Sequence, residues 1–249
     1  MERQRKPVGI SASLFPTSFW LASTRGPISS VSFVRRLQCA LDSRHPREIA
    51  PTNASTDTTH AKGEEEEREL VDWLDYGQRP TWRFGDFNGP SNRMNWGFEV
   101  NLRDRTIGKP RRPMPQILKS LAARMRGGGG DLLRDFHPDE ANAIDYRKSK
   151  GHELLPHFDD RHLNGDILCN LSLLADATMT YVYGGKGGKR GRVAGVVDGV
   201  VDGVVDVLLP RRSLQVQTGD VRYAWKHSIS NANLFGERRV SITFRTCRF

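Results

Sequence analysis

The sequence predicts a mainly β fold of the α+β type, a sandwich or barrel with two helices packed on one sheet. Three observations lead there. From Ala143 onward the chain is a succession of short strand-like segments separated by turns. An amphipathic helical stretch, Pro113–Arg126, and an acidic helix opening at Glu64–Glu67 come before them. An apolar sheet face has to be covered, and helices that precede the strands are the available cover.

Taken in order, residues 1–62 stand apart. The first forty residues hold one acid, Glu2, among scattered Arg, Ser, Thr and Pro, and residues 51–60 (PTNASTDTTH) are polar and turn-rich. This reads as a disordered tail or as an organellar transit peptide. The domain then runs over 63–249, with the acidic helix leading into Leu70, Val71 and Leu74. Residues 81–103 are aromatic and rich in turns (TWRFGDF), and MNWGFEVNL within them reads as a strand. In Pro113–Arg126, Ile117, Leu118, Leu121, Ala122 and Met125 recur at helical spacing, and Gly127–Gly130 end the helix. The strand-like segments are AIDY, ELLPHFDD, DILCNLSLL, TMTYVYG, VDVLLP, SLQVQTG, VRYAWKHSI and RVSITFR. Between them Val196–Asp206 repeats VVDG, a period too short for a solenoid, which reads as a loop insertion after the Gly/Lys-rich stretch Gly184–Arg192.

With 249 residues, 37% hydrophobic and 27% charged, the chain can bury one sizeable core. A net charge of +9 favours an acidic partner but does not decide the fold. Cys39, Cys169 and Cys247 form no CxxC pair, which excludes a zinc ribbon or disulfide scaffold and suits a reducing compartment, cytoplasm or nucleus. No apolar run reaches the roughly 18 residues of a membrane span, so no membrane association is expected.

The chemistry centres on His157-Phe158-Asp159. Residues two apart in a strand share a face, so His157 and Asp159 can meet at one metal with Phe158 packed behind. Downstream of His162 the chain has one histidine, His227, on the strand-like VRYAWKHSI. Two histidines and one carboxylate, leaving open positions, form the facial set of non-haem Fe(II) oxygenases. A rival, His137-Pro138-Asp139, is interrupted by proline, and the following Glu-Ala-Asn-Ala reads as the start of a helix or turn. A lone His227 is as readily a structural histidine, so a further test is needed.

The last strand supplies it. Alternation over 239–245 places Arg239, Ser241, Thr243 and Arg245 on one face, and Val240, Ile242 and Phe244 on the other. Two guanidinium forks and two hydroxyls fit a pocket for a dicarboxylate. The bland alternative is an edge strand with a solvated polar face.

The order Tyr146, HFD at 157–159, His227 and RxSxTxR at 239–245 resembles the AlkB family of Fe(II)/2-oxoglutarate-dependent dioxygenases. PHFDDRHLNGD (156–166), PRRSLQVQTGDVRYAWKHSI (210–229) and RRVSITFR (238–245) are most similar to the branch of the fourth AlkB homologue. The resemblance spans about residues 135–249, with weaker similarity back to MNWGFEVNL. It implies a double-stranded β-helix (jelly roll), with 63–134 as helical support and substrate lid and 135–249 as the jelly-roll core. It implies Fe(II) ligands His157, Asp159 and His227. It also implies 2-oxoglutarate held by Tyr146, Arg239, Ser241, Thr243 and Arg245, with Arg245 nearer the iron and Arg239 at the distal carboxylate. O2 completes the reactants, and the products are succinate, CO2 and formaldehyde from an N-methyl group.

Two residues depart from the family pattern. The Asn expected two before the tyrosine is Ile144, and the Asn of the last strand is Ser241; Asn142 is expected to face elsewhere. Asp160 is either an orienting group behind the ligands or an exposed strand-end acid. The lid stretch, Trp82–Arg126, mixes Trp82, Phe84, Phe87 and Trp96 with Arg103, Arg105, Lys109, Arg111 and Arg112, which reads as a nucleic-acid surface or as core aromatics beside a solvated basic face. The resemblance implies action on methylated lysine in protein, as in actin, or on methylated nucleic acid such as N6-methyladenine; the sequence leaves the oligomeric state open, with a monomer expected. A non-catalytic jelly-roll binding protein and a zinc hydrolase are the readings from other classes.

Overall fold

Helix α1, Asn53–Tyr76, places Leu70, Val71 and Leu74 along one side. Helix α2, Gln116–Gly128, does the same with Leu118, Leu121, Ala122 and Met125, and the short α3, Gly130–Leu133, adds Leu133. All of them pack on the outer face of one sheet, where Ala141, Ala143, Leu171, Leu173, Val240, Ile242 and Phe244 meet them. Helices therefore cover one sheet face, as the apolar periodicity requires.

The computed structural model describes residues 19–22, 35–37, 53–77, 81–101, 104–184 and 203–249. Its strands are β1 (Phe19–Ala22), β2 (Arg35–Leu37), β3 (Arg83–Gly85), β4 (Ser91–Asn101), β5 (Thr106–Arg112), β6 (Glu140–Arg147) and β7 (Leu154–His157). There follow β8 (Asn164–Leu173), β9 (Ala177–Tyr183), β10 (Val204–Leu209), β11 (Ser213–Gln217), β12 (Trp225–Ile229) and β13 (Arg238–Cys247). The major sheet runs β2-β1-β11-β8-β13-β6-β4-β3, with β5 also on β4, and the minor sheet runs β10-β9-β12-β7. The two sheets face each other over a second apolar cluster that includes Tyr146, Met179, Tyr181, Trp225 and Ile229. This is the jelly-roll architecture: β13 sits at the middle of the major sheet between β8 and β6, so its inner face looks into the space between the sheets.

Several elements differ from the sequence expectation. Helix α1 starts at Asn53, upstream of the acidic run. Glu140–Ala143, expected as a helix or turn, is the first half of β6, because its small alternate residues Ala141 and Ala143 pack under the helices. Residues 219–224 form a helical turn, α4 (Gly219–Ala224), before β12 begins, where the sequence suggests one strand. The end of the VVDG repeat is not loop: Val204–Asp206 open β10 and pair with β9. The rest of that repeat, and the stretches of the N-terminal tail other than β1, β2 and the start of α1, lie outside the described residues. No helix among the described residues is long and apolar enough to cross a membrane.

Candidate metal centre and cosubstrate pocket

Strands β7 and β12 pair antiparallel, and the pairing puts His157 directly opposite His227, with ring centroids 4.4 Å apart. The Nδ1 of His157 lies 2.8 Å from the Leu155 carbonyl, so a proton there donates to that oxygen and leaves Nε2 for a metal. Strand β7 ends at His157. Asp159 therefore reaches the histidines from the turn beyond the strand, not by strand alternation as the sequence suggests. Its Oδ2 is 3.4 Å from His227 Nε2, and one ligand atom from each of the three residues lies within 4.8 Å of the others. Phe158 is not packed behind: it lines the adjoining cavity, with the Arg161 guanidinium 4.0 Å from its ring centre.

The electrostatics suit a divalent cation. Burial pushes His227 down to about 4 against the pull of Asp159. Burial likewise lowers His157, again opposed by Asp159. Burial raises the Asp159 carboxyl, but Arg245, His227, His157 and Arg222 outweigh it and hold the group below the ordinary carboxylate range. At neutral pH the cluster presents two neutral imidazoles and one carboxylate, the protonation states that metal ligation needs.

On the inner face of β13, Arg239, Ser241, Thr243 and Arg245 line a cleft beside these three residues, and Tyr146 of β6 joins them. Arg245 donates from Nη2 to Asp159 Oδ1 at 2.7 Å and lies 3.4 Å from Glu140 Oε1. This bond occupies one oxygen of Asp159 and leaves Oδ2 on the histidine side. Arg239 is 1% exposed, donates to Ser172 Oγ at 2.7 Å, and its Nε has no partner among the described residues. Among the described residues no carboxylate offsets it there: burial lowers it and Tyr146 acts against that. A buried guanidinium without an anion costs several kcal/mol, so the cleft is chemically suited to an anion. Above the metal site opens a cavity of about 360 Å³, lined by Phe87, Glu99, Glu140, Asn142, Phe158 and Asp160 among others.

The sequence model of the 2OG-Fe(II) oxygenase superfamily matches residues 90–245. The chain belongs to that superfamily. Among curated proteins it is 30% identical over 197 residues to human alpha-ketoglutarate-dependent dioxygenase alkB homolog 4, covering 73% of this chain and 63% of the human protein. It is 29% identical to the mouse protein of the same name over the same shares of each chain. The chain thus spans 63% of the length of the curated relatives it matches. Among solved structures, OsALKBH1 superposes with a TM-score of 0.51 at 16% identity, over 73% of this chain and 92% of that one, which shows the shared fold. Within the superfamily these curated relatives are of the AlkB type. Superfamily members use Fe(II), 2-oxoglutarate and O2, and the donor set fits the first and Arg239, without a carboxylate partner among the described residues, the second.

The site contains every residue that the sequence nominates: His157, Asp159, His227, Tyr146, Arg239, Ser241, Thr243 and Arg245 all line the cleft. His137 is exposed, and Asp139 accepts from the Cys247 backbone N–H at 2.8 Å, so the rival HxD motif finishes a strand. Asp160 accepts from the backbone N–H of His162 at 2.8 Å and shapes the turn after Asp159. Asn142 does not face elsewhere. It shares the inner face of β6 with Ile144 and Tyr146, lines the cavity, and its Oδ1 is buried without a partner among the described residues. Residue parity with Tyr146 carries that signal, once 140–143 is read as strand. The two departures from the family pattern, Ile144 and Ser241, are cross-strand partners, so the larger apolar side chain stands opposite the smaller polar one. Of the lid aromatics, Trp82 and Trp96 pack with the helices, whereas Phe84 and Phe87 are exposed.

Proposed function

We propose that this chain is an Fe(II)- and 2-oxoglutarate-dependent oxidative N-demethylase of the AlkB type that acts on methylated lysine in a protein, actin-like in its substrate. His157, Asp159 and His227 would hold the iron. Arg239, with Ser241 and Thr243 beside it, would hold the distal carboxylate of 2-oxoglutarate, and Arg245 and Tyr146 would line the end nearer the metal. When bound, the iron and cosubstrate supply the oxidation of an N-methyl group, with succinate, CO2 and formaldehyde as products. The chain fixes the ligands, neutralises the dicarboxylate and keeps the reacting carbon in a cavity of limited access.

The observation that carries the substrate reading is the charge of the cavity wall. Glu99, Glu140, Asp159 and Asp160 line it against Arg93 and Arg245. A divalent iron, the Arg239 guanidinium and a dianionic cosubstrate together add one positive charge, which reduces the carboxylate surplus of the wall without reversing it. Such a wall attracts a methylated ammonium and repels a phosphodiester. A second reading, methylated nucleic acid, is favoured by one feature: Phe84 and Phe87 are exposed, and Phe87 stands at the cavity where a base can stack. Formaldehyde release from methyl-lysine peptides and from methylated oligonucleotides, measured side by side, decides between them. Release from the peptides alone is the expected outcome, and release from oligonucleotides alone would reject the lysine reading. Absence of the visible chelate band on anaerobic titration with Fe(II) and 2-oxoglutarate would reject the oxygenase reading itself.

A further inference from the structure

The three ligand residues are not fixed in place by the same means. His157 and His227 are held to each other by the β7–β12 pairing. Asp159 lies beyond the end of β7, so no strand ladder sets its position relative to His227. Two arginines cross this gap. Arg222, on α4, is 2% exposed and donates from Nη1 to the Asp159 carbonyl at 3.1 Å and from Nη2 to the Asp160 carbonyl. In the opposite direction, Arg161, in the turn after Asp159, donates from Nη1 to the Tyr223 carbonyl at 2.8 Å. Helix α4 passes without a break into β12, so Arg222 and Tyr223 belong to the segment that delivers His227.

We propose that Arg222, assisted by Arg161, is a positioning residue of the metal centre, a two-way latch that sets the separation of Asp159 from His227. This rests on the metal-site reading above. The guanidinium of Arg222 is well matched to the task. It spans two successive carbonyls, which fixes the direction of the turn as well as its distance. Its Nε is buried with no partner among the described residues, so the two terminal nitrogens carry its bonding. A side chain needed only to fill space there would be apolar, because burying a guanidinium is costly. Loss of such an outer-sphere partner weakens metal affinity by about 10–100-fold in metal sites generally.

The test uses the full chain without iron and Co(II) as the probe, with affinity from calorimetry and geometry from the Co(II) d–d spectrum. Arg222→Met is expected to weaken Co(II) binding by at least about tenfold and to alter the spectrum, while its circular dichroism stays that of the parent. Arg222→Lys, which keeps the charge and can reach one carbonyl, is expected to recover part of the affinity. Arg161→Met, which removes the return bond alone, is expected to give a smaller loss and keeps the test decisive if Arg222→Met does not fold. Parental affinity and spectrum in Arg161→Met and in either folded Arg222 variant would overturn the latch. Failure of the parent protein to bind Co(II) at all would reject the underlying metal site, and the latch with it. Failure of the latch alone shows a parent that binds and variants that bind equally.

Discussion

Arg238 and Arg239 are neighbours in β13, and they show what separates an arginine neutralised by the fold from one available to a ligand. Arg238 points to the helix-covered face and donates to both oxygens of Asp75 on α1 at 2.7 Å and to Asp145 on β6 at 2.5 Å. Burial acts to lower its pKa, but these two carboxylates outweigh it and raise it. Arg239 points between the sheets, has no such partner among the described residues, and is lowered by burial. The first guanidinium is neutralised by the fold. The second is left charged in a closed space with no carboxylate beside it among the described residues, which suits it to an anion from outside. One residue step along a strand, which reverses the side-chain direction, is enough to change the role.

The sharpest way to break this comparison is to delete each arginine in turn. Arg238→Ala strands the fully buried Asp145 with Arg147 and Asn92 as its remaining side-chain partners. The expected loss is about 3 kcal/mol of folding stability, read by urea denaturation, with 2-oxoglutarate affinity unchanged in the protein that remains folded. Arg239→Met should do the reverse. Its unliganded stability should hold or rise, since an unpaired buried charge is removed. Its affinity for 2-oxoglutarate should fall by about a hundredfold, the worth of two charge-assisted hydrogen bonds at about 1.5 kcal/mol each. Equal effects of the two deletions on stability would mean that Arg239 has a partner after all.

The proposed metal ligands extend the same contrast to a smaller readout. With Mn(II) at about a hundred times its dissociation constant, the parent protein should gain about 2.7 kcal/mol of stability. His227→Ala should lose that gain. The unliganded variant loses the packing of a buried imidazole but no ion pair, and a denaturation run without Mn(II) reads that loss separately. A Mn(II)-dependent gain that survives in His227→Ala would place the ion elsewhere.

How much of this could be read from the sequence follows from which forces are local. The inner and outer faces of β13 are legible because alternation depends on nothing but strand geometry. The candidate metal residues are legible from their types and from the scarcity of histidine downstream of His162. The turn that carries Asp159 is not, since it is shaped by a carbonyl clamp from Arg222, 63 positions away. The inward face of Asn142 is hidden for a similar reason: Glu140–Ala143 has weak strand propensity, and its pairing with β4 and β13 overrides that. The acidic wall of the cavity is equally non-local. Glu99 comes from β4 of the major sheet and Asp160 from the turn after β7 of the minor sheet, and they meet only in the fold.

The smallest expected effect tests the pair Ile144 and Ser241. These residues are register partners on β6 and β13, and both line the cleft beside Tyr146 and Arg239. In Ile144→Asn an amide enters the cleft within one strand spacing of the Ser241 hydroxyl, where it can donate to a cosubstrate oxygen. One neutral-to-charged hydrogen bond is worth about 1.5 kcal/mol, against about 1 kcal/mol for the apolar contact given up. The net gain should be no more than about threefold in 2-oxoglutarate affinity, with unliganded stability slightly reduced because the amide then lacks a partner. In the Arg239→Met background the gain should persist, since the new bond is independent of the distal charge. A gain that vanishes there would mean that the introduced amide acts by turning Arg239 and not by reaching the cosubstrate, and the two sides of the cleft would then be coupled through the strand pair.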